Sequence, residues 1–135
     1  MNKITLRNLL FCLTLSSCEY YDRRLEVINN TSYKIAVETF SDSIPTFSEL
    51  NKTAYYSRSA IYPNESSNLI AMGSKREWSN KIDNNKNKKL NLLVFNIDSM
   101  EVYGVDSLVR MGFFNTYIIS EDILEASNWK VKISE

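Results

Sequence analysis

The chain has 135 residues, of which 44% are hydrophobic and 24% charged, with 16 basic residues balancing 16 acidic ones. This is ordinary globular composition, long enough for one domain with a core, and its neutral balance gives no footing for nucleic-acid binding. Histidine is absent and there are only two cysteines, Cys12 and Cys18, which removes His-based triads, Cys/His dyads and His-containing metal sites.

In chain order, the first element is a leader. Lys3 and Arg7 give a positive start, Leu9, Leu10, Phe11, Cys12, Leu13 and Leu15 an apolar run, and Ser16 and Ser17 a small-residue site before Cys18. These are the parts of a secretory signal, in order. The run is much shorter than the roughly 20 residues that cross a bilayer as a helix. Leu15-Ser16-Ser17-Cys18 resembles the lipobox of bacterial lipoprotein signal peptides. The resemblance implies cleavage before Cys18, acylation of Cys18 with more than one palmitate-type chain, and firm anchoring, since a single chain holds only marginally. Residues 1–17 are then the signal peptide, 18–24 a lipidated tether and 25–135 the domain. Loss of Lys3 and Arg7 leaves 14 basic and 16 acidic residues. The mature domain has no disulfide and no free thiol.

Leu25-Glu26-Val27-Ile28 reads as a short strand ended by Asn29-Asn30. Tyr33, Ile35 and Val37 alternate with Lys34, Ala36 and Glu38, the period of a half-buried strand. Ser41 to Leu50 reads as a loop. A strand near Ser57 to Tyr62 meets the turn Pro63-Asn64-Glu65-Ser66, and Asn68 to Met72 closes the hairpin. Gly73 to Lys89 is the longest polar stretch and reads as a solvated, mobile loop. Leu90 to Ile97 is apolar on both faces, as a central strand covered on both sides would be. Val105, Leu108 and Val109 have helical spacing, with Gly112 placed to end the helix. Phe113 to Ile119 is a further strand. Ser120 stands ready to cap a second helix whose first turn holds Glu121 and Asp122. Trp129, Val131 and Ile133 alternate with Lys130, Lys132 and Ser134 in a terminal strand. The expectation is a mainly β domain, an antiparallel immunoglobulin-like β-sandwich of about seven strands with short helices near 105–111 and 120–127. Neither helix is long enough for a parallel crossover.

Tyr117-Ile118-Ile119-Ser120-Glu121-Asp122-Ile123-Leu124-Glu125, followed by Asn128-Trp129-Lys130-Val131, resembles the ending of a group of small envelope lipoproteins from gut-type Bacteroidetes. The resemblance implies a compartment and supplies no chemistry. Attachment through Cys18 would place the protein in a bacterial cell envelope, at the outer membrane, with the membrane as one partner.

Candidate chemistry is sparse. Lys75, Arg76, Lys81, Lys86, Lys88 and Lys89 against Glu77 and Asp83 give the polar stretch a net charge of +4, and Trp78 lies among them. Such a loop suits anionic glycan, lipid headgroups or an acidic partner; alternatively Trp78 folds back onto the core. Ser43, Ser99 and Ser107 each stand in an Asp-Ser-apolar triplet that resembles the O-glycosylation site of exported Bacteroidetes proteins. Asp83, Asp98 and Asp106 lack the alternating spacing of a calcium loop. No cofactor is implied. The leading expectation is a non-catalytic binding or accessory module that presents loops to a protein or glycan partner. One alternative is an assembly subunit that pairs through a sheet edge. The other is a carboxylate-based enzyme acting on glycan. Clustered acids in a pocket would favour the enzyme, an open sheet edge assembly, and exposed aromatics glycan binding.

Overall fold

The computed structural model describes residues 20–42 and 53–135. Cys12, Cys18, the leader and Ser43 lie outside the described residues. Eight strands appear, β1 (Tyr21–Asp22), β2 (Glu26–Asn29), β3 (Ile35–Phe40), β4 (Ser66–Asn68), β5 (Ala71–Met72), β6 (Leu90–Asn96), β7 (Asn115–Ile119) and β8 (Lys130–Ile133). Among the described residues there are also five helices, α1 (Thr53–Arg58), α2 (Glu77–Asn84), α3 (Ile97–Tyr103), α4 (Val105–Met111) and α5 (Glu121–Ala126).

β6 organises the rest. Its alternation is apolar on both faces, and it is the middle strand of β3-β6-β7, antiparallel to both neighbours. Leu90, Leu92 and Val94 join a first core with Leu25, Val27, Ile35, Trp78, Ile82, Leu124, Trp129, Val131 and Ile133. That core gathers side chains from both three-stranded sheets and from α2 and α5. Leu93 and Phe95, on the other face, enter a second core with Tyr56, Ile97, Met100, Val105, Leu108 and Val109, which belong to α1, α3 and α4. A strand buried on both faces must be apolar on both, as β6 is.

The second sheet has the order β4-β2-β8. β2 runs antiparallel to β4 but parallel to β8, with Val27 opposite Val131 and Asn29 opposite Ile133. β1 and β5 form a separate two-stranded ribbon. The fold is therefore mixed α/β with three open sheets, and the expected antiparallel β-sandwich is wrong. Helices α1, α3 and α4 cover the face of β3-β6-β7 that a two-sheet sandwich would leave to solvent. The crossover between the parallel strands is most of the chain, so the length of any one helix does not limit it.

Three further readings are corrected. The strand expected over Ser57 to Tyr62 is the end of α1 followed by a single bridge of Ile61 to Ile35. Its proposed hairpin partner splits into β4 and β5, which join different sheets. The expected loop from Gly73 to Lys89 contains α2, and the asparagines after it form a hydrogen-bonded turn. There Asn85 Nδ2 donates to the Lys89 carbonyl at 2.7 Å, and Asn87 Nδ2 to Asn91 Oδ1 at 2.6 Å.

The two helices read from the sequence are present at the expected places. Gly112 ends α4 in the left-handed region at φ 71°, which glycine adopts without a Cβ penalty. The Phe113 N–H then reaches back to the Leu108 carbonyl at 2.8 Å, a Schellman-type stop. Gly104, at φ 74°, ends α3 and starts α4, so one residue breaks the chain between two short helices.

Candidate functional site

A cleft of about 360 Å³ opens where α3, the α4–β7 turn and β6 meet, lined by Tyr33, Val94, Asn96, Ser99, Phe113, Phe114 and Asn115 with Gly112. Each residue is placed by a local device. Asn96 is the N-cap of α3, and its Oδ1 accepts from the Ser99 N–H at 3.1 Å. That bond fixes the amide plane and leaves its NH₂ group directed away from the helix end. The Gly112 stop turns the chain so that Phe113 is left 62% exposed while Phe114 packs 6.0 Å from the Phe95 ring. Tyr33 is half-buried against the first core. Three aromatic side chains, two amides and the hydroxyls of Ser99 and Tyr33 therefore surround a cleft with no carboxylate or ammonium in its lining. The nearest charges in sequence, Lys34 and Asp98, pair with each other at 3.2 Å. That pairing raises the Lys34 ammonium above its ordinary value.

The sequence singled out only Ser99 of this group, for a different reason. Ile97-Asp98-Ser99-Met100 and Val105-Asp106-Ser107-Leu108 are two copies of one local solution. In each, a buried apolar residue opens a helix, an Asp sits in the first turn where the helix dipole favours it, and a second buried apolar residue follows one turn on. Met100 and Leu108 are fully buried. Helix starts thus account for both Asp-Ser-apolar patterns.

The six basic residues of the polar stretch do not converge. Lys75 Nζ stands 5.8 Å above the Tyr20 ring and Lys81 Nζ 5.8 Å above Trp78. Arg76 occupies the N-cap position of α2 without a side-chain cap. At the other end of that helix, Lys86 pairs with Asp42 at 2.8 Å, which raises its ammonium, and Lys88 Nζ donates to the Asp83 carbonyl. Lys89 is exposed at the start of β6. An eight-residue helix, about 12 Å long, separates Lys75 and Arg76 from Lys86, Lys88 and Lys89, and Lys81 lies within it. Trp78 is 3% exposed and belongs to the first core, so it offers no contact surface.

Asp22, placed in the expected tether, has a fully buried side chain. It accepts from Arg24 Nε at 3.0 Å, Arg24 Nη2 at 2.8 Å, the Arg24 N–H at 3.2 Å and the Trp78 N–H at 3.0 Å. The last bond caps the start of α2, the service Arg76 does not provide. Burial opposes ionisation of Asp22, but the Arg24 guanidinium and the two backbone donors together hold its carboxyl below the ordinary value. Arg24 in turn lies 4.0 Å over the Trp129 ring and donates to Ser79 Oγ at 3.2 Å. Trp129 and Asn128 both have positive φ, 61° and 53°, a conformation rare for a bulky residue. The Trp129 N–H bond to the Leu124 carbonyl at 2.6 Å and the arginine on its ring hold it there. This group is a fastening between chain segments, closed to ligands by its own packing. It makes residues 21–24 part of the folded body.

No family model matches the chain, and no curated protein and no solved structure matches it.

Proposed function

We propose that the chain is a lipid-anchored, non-catalytic binding module of a bacterial cell envelope that takes a neutral, hydroxyl-rich ligand, a short glycan, in the cleft beside β7. The lining of that cleft carries the reading. Exposed and half-exposed aromatic rings give a sugar ring's C–H face something to pack on, while amides and two hydroxyls match its alcohol groups as both donors and acceptors. The volume falls at the small end of ligand pockets, about 300–1,000 Å³. A carboxylate-based glycosidase needs two acids flanking the bond it cuts, and this lining holds none, which favours binding over hydrolysis. The anchor rests on Lys3 to Cys18 and supplies the membrane as the first partner; no cofactor is required.

The test is a neutral glycan array probed with the full chain beside Phe113→Ala and Asn115→Ala. Both side chains are exposed, so the variants keep the fold. Binding by the wild type that each variant weakens by tenfold or more supports the cleft. Binding that neither variant alters places the ligand elsewhere, and absence of binding to every neutral glycan defeats the reading.

One observation favours the assembly alternative. Among the described residues β7 pairs with β6 alone, and from Met111 to Ser120 it is flanked by no charged residue. Natural edge strands usually carry charge or proline to discourage pairing. A concentration-dependent dimer that Thr116→Lys abolishes would favour assembly over glycan binding.

A further inference from the structure

We propose that the outward face of the β1–β5 ribbon lies directly on a lipid bilayer, so that the domain is held against the membrane in one orientation. The proposal rests on acylation of Cys18 and adds to it a contact surface and a geometry.

The ribbon is amphipathic. Tyr21 pairs with Met72 and Asp22 with Ala71. Asp22 and Ala71 point inward and are each 1% exposed. On the other side Met72 is 69% exposed and Ile70 51%, with Tyr21 half-buried opposite Met72; Tyr20, at the ribbon's end, is 51% exposed. These apolar groups are accompanied by cations. Arg23 lies 5.7 Å from the centre of the Tyr21 ring, and Lys75 lies 5.8 Å from that of Tyr20. Cations stand over four rings among the described residues. Two of these, Trp78 and Trp129, are buried, and the other two are both at this ribbon. Tyrosine at headgroup depth, aliphatic side chains below it and basic ends directed to phosphate is the chemistry of an interfacial membrane contact. Among the described residues the nearby acid that is not fully buried is Glu77, engaged by Ser74 Oγ and Asn80 Nδ2, both at 3.2 Å.

Chain length fixes what covers this face. Cys18 precedes Tyr20 by two residues, a reach of at most about 7 Å. The polar layer on each side of a bilayer is about 5–8 Å deep. Acyl chains on Cys18 therefore leave the ribbon no farther from the bilayer than the thickness of the headgroups. The Asp22 bonds to Arg24 and Trp78 remove the compliance that a tether would provide.

The experiment uses the acylated full chain in vesicles of phosphatidylcholine and phosphatidylglycerol. It carries one environment-sensitive label at Met72→Cys or, as control, at Ile118→Cys on β7. Fatty-acid labelling of wild type and Cys18→Ser is run alongside. Lipid-borne quencher that darkens the label at 72 several-fold more than the label at 118 supports the proposal. Equal exposure of both labels in a chain that does take up fatty acid overturns it and leaves anchoring intact, as does cross-linking of position 72 to protein in place of lipid. If Cys18 takes up no fatty acid, anchoring fails, and co-sedimentation of the unmodified chain with the same vesicles decides the surface. Sedimentation that Ile70→Ser with Met72→Ser lowers by about tenfold, and Lys75→Ser by about fivefold at low salt, supports the surface; no sedimentation overturns it.

Discussion

Replacing Asp22 with Ala should cost this domain about 3 kcal/mol of stability. Four hydrogen bonds end on the carboxylate. The Trp78 N–H sits in the first turn of α2, where it has no intrahelical partner, and leaving it buried and unpaired costs about 1–3 kcal/mol. Breaking a buried ion pair by removing one partner costs about 3–5 kcal/mol. The Arg24 side chain is 33% exposed, so water recovers part of that second loss, and the sum settles near the lower figure. Net stabilities of single domains are about 5–15 kcal/mol, so the effect is readily measured. Urea unfolding followed by tryptophan fluorescence reports it directly, since Trp78 and Trp129 flank the pair. Arg24→Ala should cost a similar amount, and the double variant much less than the sum. Acid gives a second readout. The folded carboxyl lies below its ordinary value of 3.8. The stabilisation is therefore complete above that value and drains away as pH falls toward the folded value. Asp22→Asn should flatten this part of the acid limb. A loss below about 1 kcal/mol for Asp22→Ala, the range of uncritical surface changes, would refute the reasoning and return residues 20–24 to the status of a free tether.

Trp129→Ala should cost about 3–5 kcal/mol in the same assay, because it opens a cavity in the first core and leaves Arg24 without its ring; a loss below about 1 kcal/mol would place Trp129 outside the core. Replacing Lys86, Lys88 and Lys89 together with Ser should leave the unfolding midpoint nearly unchanged, since all three are exposed and the Lys86 pair with Asp42 is a surface one; a large drop would show that the turn after α2 depends on them. Cys18→Ala should abolish incorporation of a fatty-acid analogue and the ordinary cleavage, and equal labelling of wild type and variant would end the lipoprotein reading.

Features whose cause is local could be read from the sequence. β6 announced itself by apolar residues on both faces, β8 by strict alternation, α4 by Gly112, and α5 by Ser120 and the acids after it. Ser120 takes the N-cap position, although its side chain bonds Asp122 and makes no cap bond to the backbone. Trp129, read as one of the alternating apolar residues of β8, shares the first core with Leu92, Val94 and Val131. The three other helices were hidden by their short length and their surroundings. α2 buries only Trp78, Ser79 and Ile82, so its one helical signal is an apolar pair four residues apart inside a polar run. α3 begins where β6 ends, and Ile97 looked like one more strand residue. Missing these helices made the chain look mainly β. Neither the cleft nor the Asp22 fastening was legible, for another reason. Both join residues far apart in the chain, and a lone Asn96, Asn115 or Asp22 carries no pattern of its own.

The parallel pairing of β2 with β8 also sets a schedule for folding. Synthesis delivers β2 long before β8, its parallel neighbour. Until Lys130 to Ile133 emerge, Val27 is paired only on its β4 side, with Ser67, and its other edge stays open. Such late, long-range closure slows folding and prolongs exposure of an unsatisfied strand. A chain broken off before residue 130 would keep most of its helices yet present β2 as a bare edge, ready to recruit the edge of another molecule.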